Sequence, residues 1–325
     1  MKGRTKLKRY ITIDGGTTNT RVSLIVNSKC LHTVRLSVGA RSCIDHKEVF
    51  ENELRSAIAG ILEKFKLQES DIIRILASGM ITCEFGLCEL PHIIAPAGIR
   101  ELHDSMAEVS FPKISSIPFV FVRGVKVDSA LLDSVDMMRG EETELMGLMT
   151  LCPDISDDEC VYVLPGSHSK IVSIDKNGRI SDFSTMLTGE MIMSLSQNTI
   201  LKDAVDLSCE GYDESALFEG FEYAQNAGLN KALFKVRILK NIFKKTSLEV
   251  YSFYIGAVLS GEISYIISSR AKNVAIGGKS QLKTATAALL RHYSSKKVNV
   301  ISDEAVENST SAGIIAVYEY CADHQ

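Results

Sequence analysis

Tyr10-Ile-Thr-Ile-Asp-Gly-Gly-Thr-Thr-Asn-Thr-Arg21 is the stretch that decides how this chain is read. Tyr10 to Asp14 alternates with period two and predicts a strand, and Arg21 to Val26 predicts its returning partner. Between them lies a turn of glycines and hydroxylated residues. Glycines let backbone N–H groups approach an anion closely, and threonine hydroxyls add donors. Gly15, Gly16, Thr17 and Thr18 are therefore candidate phosphate contacts. A lone carboxylate at the strand end, Asp14, suits Mg²⁺ held through water, as that reluctantly dehydrating ion prefers. The stretch is not a Walker loop, because no Gly-Lys-Ser/Thr opens a helix after it. An Asp-initiated glycine hairpin is also an ordinary turn, so the stretch needs support from elsewhere.

Outward from it, a turn at Asn27-Ser28 leads to a third strand, Cys30 to Leu36. Phe50, Leu54, Ile58, Ile61 and Phe65 then recur at helical spacing within 45–65, and Ile72 to Ala77 predicts a buried strand. The arrangement begins again after an acidic stretch at 152–159. Val161 to Leu164 is a strand, Pro165-Gly-Ser-His-Ser169 a small-residue turn, and Lys170 to Asp175 the return. Lys176-Asn-Gly178 predicts a type I′ hairpin, and Arg179 to Met186 a third strand. Two strand–turn–strand–hairpin–strand units point to an internally duplicated α/β fold, with lobes at 1–150 and 151–325. Each lobe would bring its first turn to a shared cleft. Helices follow at 187–201, 216–229 and 231–268, the last broken near Thr246-Ser247. A strand over 273–276, a helix over 281–293, a strand over 297–301 and a helix over 311–321 complete the chain.

Three further segments carry chemistry. Gly166, Ser167 and His168 repeat the phosphate-turn logic in the second half. Gly277, Gly278 and Ser280 lie in a strand–turn–helix passage where a backbone without Cβ atoms can pack against a base or ribose. Asp136-Met-Met-Arg-Gly-Glu-Glu-Thr-Glu144 precedes an apolar run, and acids at a helix start are favoured by the macrodipole alone. The sharper reading aims one of them at a substrate hydroxyl as general base. Glu141 comes first, with Asp136 and Glu142 as alternatives.

Composition bounds the function. The chain has 325 residues and a formal net charge of −4, which argues against nucleic acid or an anionic membrane as its main partner. No stretch approaches the ~20 apolar residues of a membrane helix. The basic start at 1–9 lacks the apolar segment of a signal peptide and predicts a disordered tail. Eight scattered cysteines without a C-x-x-C pair predict reduced thiols in the cytoplasm and no zinc site.

Taken in order, these segments resemble the sugar-kinase, heat-shock-ATPase and actin superfamily. More narrowly, Asp14 to Arg21, Ala77-Ser-Gly-Met80, Pro96-Ala-Gly98, Met138 to Leu145, Leu164 to Lys170 and Phe183 to Glu190 resemble the 2-dehydro-3-deoxygalactonokinase family. Gly15 stands where that family usually has an aromatic, Ser167 where it often has Thr, and 98–111 departs from its pattern. The resemblance implies two ribonuclease-H-like lobes about a cleft, the actin-like ATPase fold. It implies phosphoryl transfer from ATP, with Mg²⁺, to the terminal hydroxyl of 2-dehydro-3-deoxy-D-galactonate, giving the 6-phosphate used in galactonate breakdown. A sugar acid also needs a cation for its carboxylate, for which Arg100 and Arg139 are candidates. A homodimer is left open. The alternatives are a related kinase acting on another sugar or sugar acid, and an ATP-dependent sensor that transfers nothing.

Overall fold

The structure is a computed structural model and describes residues 7–155, 160–278 and 281–321. The basic start up to Lys6 and the adenosine-turn candidate Ser280 lie outside the described residues.

The chain forms two compact units. The first comprises Met1–Pro153, Asn177–Asp182 and Glu304–Gln325, and the second Asp154–Lys176 and Phe183–Asp303. This corrects the division at residue 150, because the closing helix belongs to the first unit. The reason is backbone contact through glycine. At Gly147 an added Cβ would fall 1.8 Å from the Ser309 carbonyl oxygen, and at Gly313 one would fall 1.9 Å from that of Thr143. Residues 177–182 join the same unit through a bridge between Ala97 and Ile180.

In the first unit, β1 (Arg9–Gly15), β2 (Thr20–Val26) and β3 (Lys29–Leu36) form an antiparallel meander. Helix α1 (Cys43–Phe65), broken at His46, leads to β4 (Arg74–Gly79), which lies parallel to β1. After β5 (Ile93–Ile94) and α2 (Ile99–Asp104) come β6 (Ala107–Val109) and β7 (Phe119–Phe121), giving the order β3-β2-β1-β4-β7-β6. Short strands β8 (Val125–Val127) and β9 (Asp136–Met138) join β5 in a small second sheet and deliver the chain to α3 (Glu141–Leu151). Period two meets period 3.6 in the core. Ile11, Ile13, Val22 and Leu24 face Phe50, Leu54, Ile58 and Ile61 of α1, all essentially inaccessible to solvent.

The second unit repeats the scheme. β10 (Cys160–Leu164), β11 (Ser169–Ile174) and β12 (Ile180–Met186, whose start up to Asp182 belongs to the first unit) are its meander, followed by α4 (Thr188–Asn198), α5 (Glu214–Ala227), α6 (Leu229–Asn241) and α7 (Ser247–Ser268). β13 (Asn273–Ile276) runs parallel to β10, and α8 (Gln281–Tyr293) leads to β14 (Lys297–Val300), parallel to β13. The order β12-β11-β10-β13-β14 matches that of the first five strands of the first sheet. Both units thus carry the ribonuclease-H-like arrangement. The last helix, α9 (Asp303–Tyr318), starts eight residues earlier than the pattern beginning at Ser311 suggests.

Two local expectations change. The hairpin at 176–178 is not type I′, since only Gly178 has positive φ (71°). That geometry occurs instead at Asn27 and Ser28, with φ of 48° and 63°. Helix α7 is also long and apolar enough to cross a membrane, contrary to the sequence expectation. It is 78% buried over its most apolar 18 residues, packing on α5, α6 and α8 as the spine of its unit. A Thr246 capping box fixes its start.

Candidate active site

In the first unit the ends of β1 and β4 lie side by side, with Asp14 opposite Ser78 and Gly15 opposite Gly79. Gly79 has φ of 88°, and a Cβ there would sit 2.5 Å from the Gly15 carbonyl oxygen, so no other residue fits. Gly140, at φ 112°, packs on Gly79 in turn, where its own Cβ would lie 3.2 Å from the Gly79 Cα. Three glycines therefore bring the start of α3 against the strand end that carries Asp14.

Asp14 is paired across the hairpin with Arg21, whose Nε donates to Oδ2 at 2.9 Å and whose Nη2 donates to the same oxygen. Oδ1 makes no hydrogen bond among the described residues. One carboxylate oxygen is thus available, which is what a water-shelled Mg²⁺ needs from a protein that supplies no cage. Among the described residues no group of three His, Cys, Asp or Glu could hold a metal by itself. Arg21 also lies 3.8 Å from Glu307 of α9, which accepts from Arg35 at 2.8 Å. Asp14, Arg21, Thr33, Glu307 and Ser311 line a small cavity of about 40 Å³.

The turn after Asp14 is braced from behind. Ala40 N donates to the Gly16 carbonyl and Arg41 N to that of Thr17, both at 3.0 Å, while Gly39 packs on the same carbonyls. Thr17 and Thr18 remain exposed.

At the start of α3 the two adjacent acids have different environments. Glu141 is partly exposed, and its Oε2 accepts from Arg139 N at 3.1 Å. Glu142 is completely buried, accepting from Gly140 N at 2.7 Å and from Thr143 Oγ1 at 2.9 Å. Burial, and then the neighbouring Glu141, push its carboxyl up to about 7. Glu142 is therefore a packed core acid. Asp136 lies upstream in β9, opposite Val127, with Oδ1 accepting from Met137 N at 2.6 Å.

The two arginines also separate. Arg139 is half-buried and committed: Nη1 donates to Thr82 Oγ1 at 2.6 Å, and Nη2 donates to the Leu90 carbonyl at 3.0 Å. Nη2 also lies 3.3 Å from His92 Nδ1. Burial and Arg139 hold His92 down at about 4, leaving a neutral imidazole that can accept. Thr82 Oγ1 donates onward to the Gly79 carbonyl, so Arg139 ties the approach to α3 to the end of β4. Both terminal nitrogens of its fork thus have protein partners, which leaves it less available as a carboxylate clamp. Arg100 sits on α2, 68% exposed and 3.7 Å from Asp104.

In the second unit, Gly166, Ser167 and His168 are exposed at the turn between β10 and β11. The adenosine-turn candidates Gly277 and Gly278 come directly to it. Gly277 N donates to the Val163 carbonyl at 2.8 Å, and Gly278 (φ 76°) packs so closely that a Cβ would fall 2.6 Å from the Pro165 oxygen. A third segment, the start of α4, completes the cluster. Glu190 N donates to the Ser167 carbonyl at 3.0 Å, His168 Nε2 lies 2.9 Å from Glu190 Oε2, and Gly189 packs on the Gly166 oxygen. Sequence reasoning gave Gly79, Gly189 and Glu190 no role, although all three fall inside the motifs quoted above. The signal was a glycine closing a strand or opening a helix.

Comparison with known proteins gives one consistent answer. The family model for 2-keto-3-deoxy-galactonokinase matches residues 14–317. The 2-dehydro-3-deoxygalactonokinase of Escherichia coli K12 is 27% identical over 257 residues, covering 79% of this chain and 80% of that protein. A Sinorhizobium meliloti protein to which the same activity is ascribed superposes with a TM-score of 0.76 at 21% identity, covering 95% of this chain and 97% of its own. Component A of the Acidaminococcus fermentans (R)-2-hydroxyglutaryl-CoA dehydratase shares the fold at a TM-score of 0.50 and 12% identity, over 95% of this chain and 98% of its own.

Proposed function

Because the chain belongs to the 2-keto-3-deoxy-galactonokinase family, we infer that it transfers the γ-phosphoryl group of ATP to the 6-hydroxyl of 2-dehydro-3-deoxy-D-galactonate. The match over residues 14–317 is the observation that carries this reading.

Phosphoryl transfer needs positioning and charge neutralisation more than covalent help from the protein. Glu141, partly exposed at a helix start, takes the proton of the 6-hydroxyl as its oxygen bonds to the γ-phosphorus and ADP leaves. Gly15 to Thr18 in the first unit and Gly166 to His168 in the second are the candidate phosphate contacts, and Gly277-Gly278 the candidate adenosine contact. Asp14 would hold Mg²⁺ through its free oxygen; when bound, that ion neutralises charge on the phosphates. Arg100, whose guanidinium stays in solvent, is the more available of the two arginines for the substrate carboxylate. None of the eight cysteines is in a disulfide, which supports a reducing compartment that we read as the cytoplasm.

The test is ADP release across a panel of sugar acids and neutral sugars. The 2-dehydro-3-deoxy acid should give the highest kcat/KM. A neutral hexose or glycerol that turns over better would defeat the assignment.

A further inference from the structure

Helix α7 is apolar almost throughout, yet after Glu249 in its first turn it carries one more charged side chain, Glu262. That residue is 2% exposed. An isolated acid in such a place lowers stability unless its oxygens are matched. One is: Thr188 Oγ1, on the first residue of α4, donates to Oε2 at 2.5 Å. The other oxygen, Oε1, and the fully buried hydroxyl of Ser169, the first residue of β11, have no hydrogen bond of normal geometry. Ser169 is nevertheless close enough to draw the Glu262 carboxyl down against the larger upward push of burial. A serine hydroxyl can donate to that second oxygen as Thr188 does to the first. Thr188 and Ser169 are not arbitrary residues. Ser169 ends the turn at 165–168, and Thr188 precedes the two residues, Gly189 and Glu190, that hold that turn by its carbonyls.

We propose that Glu262 is a positioning residue for the phosphate-facing turn, bridging the start of α4 to the start of β11 so that 165–168 is held from behind. The proposal rests on the reading that this turn takes ATP phosphate. It differs from simple core filling because the bridge would act on one substrate only.

Initial rates with ATP and the sugar acid varied separately, alongside chemical denaturation, test it. Glu262→Ala should raise the KM for ATP by about tenfold or more while the sugar-acid KM stays within about twofold. Glu262→Gln, which keeps one acceptor and one donor group, should return the ATP KM to within about threefold of the parent. Thr188→Val removes a hydroxyl at nearly constant volume and should raise the ATP KM alone, which carries the test if the alanine variant does not fold. Ser167→Asp places a negative charge in the exposed turn and tests the underlying reading directly. If Ser167→Asp weakens ATP while Glu262→Ala and Thr188→Val do not, the bridge is dispensable and the proposal falls. A parallel rise in both KM values, or a glutamine variant no better than alanine, overturns it as well. If Ser167→Asp leaves the ATP KM unchanged, the phosphate reading of the turn fails and takes the proposal with it.

Discussion

The two turns that repeat along this chain have related backbones and different chemistry. In the first unit the strand end and its cross-strand partner are Asp14 and Arg21, and at the corresponding place in the second they are Leu164 and Lys170. The basic residue on the returning strand is kept, while the acid on the outgoing strand is replaced by an apolar side chain. The bracing differs too. A loop at 39–41 supports the first turn from its own unit's meander, whereas helix α4 and the glycine pair 277–278 close on the second. On the proposed reading the duplicated scaffold is divided between tasks. The turn with the carboxylate suits a metal and the rate of transfer, and the turn without one suits the grip on the nucleotide.

The sharpest way to break that division is at the first unit's acids. Glu141→Gln should lower kcat by ~10²–10⁴ with little change in the ATP KM, and Asp136→Asn should cost much less, both read from steady-state kinetics. A variant pair that behaves the other way round would move the base upstream into β9. Asp14→Asn comes next. It should lower kcat by about a hundredfold at saturating Mg²⁺ with the fold intact, since removing one preorganised charge typically weakens catalysis to that extent. An unchanged kcat would reduce Asp14 to a partner for Arg21.

The second unit should respond in affinity. At Gly189 an added Cβ would lie 2.3 Å from the Gly166 oxygen, so Gly189→Ala must displace the turn even though alanine is the better helix former. The expected result is an ATP KM raised about tenfold with kcat within about threefold, by the same kinetics. A variant that instead loses kcat at constant KM would erase the contrast between the units.

The smallest effect concerns stability. Glu142 has its pKa raised in the folded state, so between about 4.5 and 7 the native protein binds the proton more tightly than the unfolded chain does. Stability from this group is therefore full at low pH and is lost as pH rises through that window. Glu142→Gln should flatten the fall, by on the order of 1–3 kcal/mol at neutral pH, in denaturation curves taken from pH 5 to 8. Parallel curves for variant and parent would show that the carboxyl is ionised within its pocket.

Much of this architecture was legible because it rests on local pattern. Ile11, Ile13, Val22 and Leu24 alternate, Phe50 to Ile61 step by helical turns, and a strand-ending Asp before two glycines marks a tight hairpin. What could not be read depends on residues far apart in sequence. Arg139 looked like a free guanidinium because Thr82, Leu90 and His92 occupy it only after β4 and the small sheet are in place. Glu141 and Glu142 are the same letter in the sequence, and the fold leaves one partly exposed and buries the other. The unit boundary was missed for the same reason. Gly147 and Gly313 are unremarkable until α3 and α9 touch.

That last contact has a consequence for how the protein is made. The second unit lies wholly within the span that separates α3 from α9, so the first unit stays unfinished while residues 154–303 are being synthesised. Until α9 emerges, the carbonyl of Ser309 is missing from Gly147, and Tyr10 lacks Glu319 as a hydrogen-bond acceptor. On the ribosome the unit begun first is then the one completed last, and its sheet, whose strands all precede residue 122, must wait with the face that Ile314 and Ile315 cover still exposed. A chain ending near residue 303 should accordingly retain a folded second unit and a protease-sensitive first one.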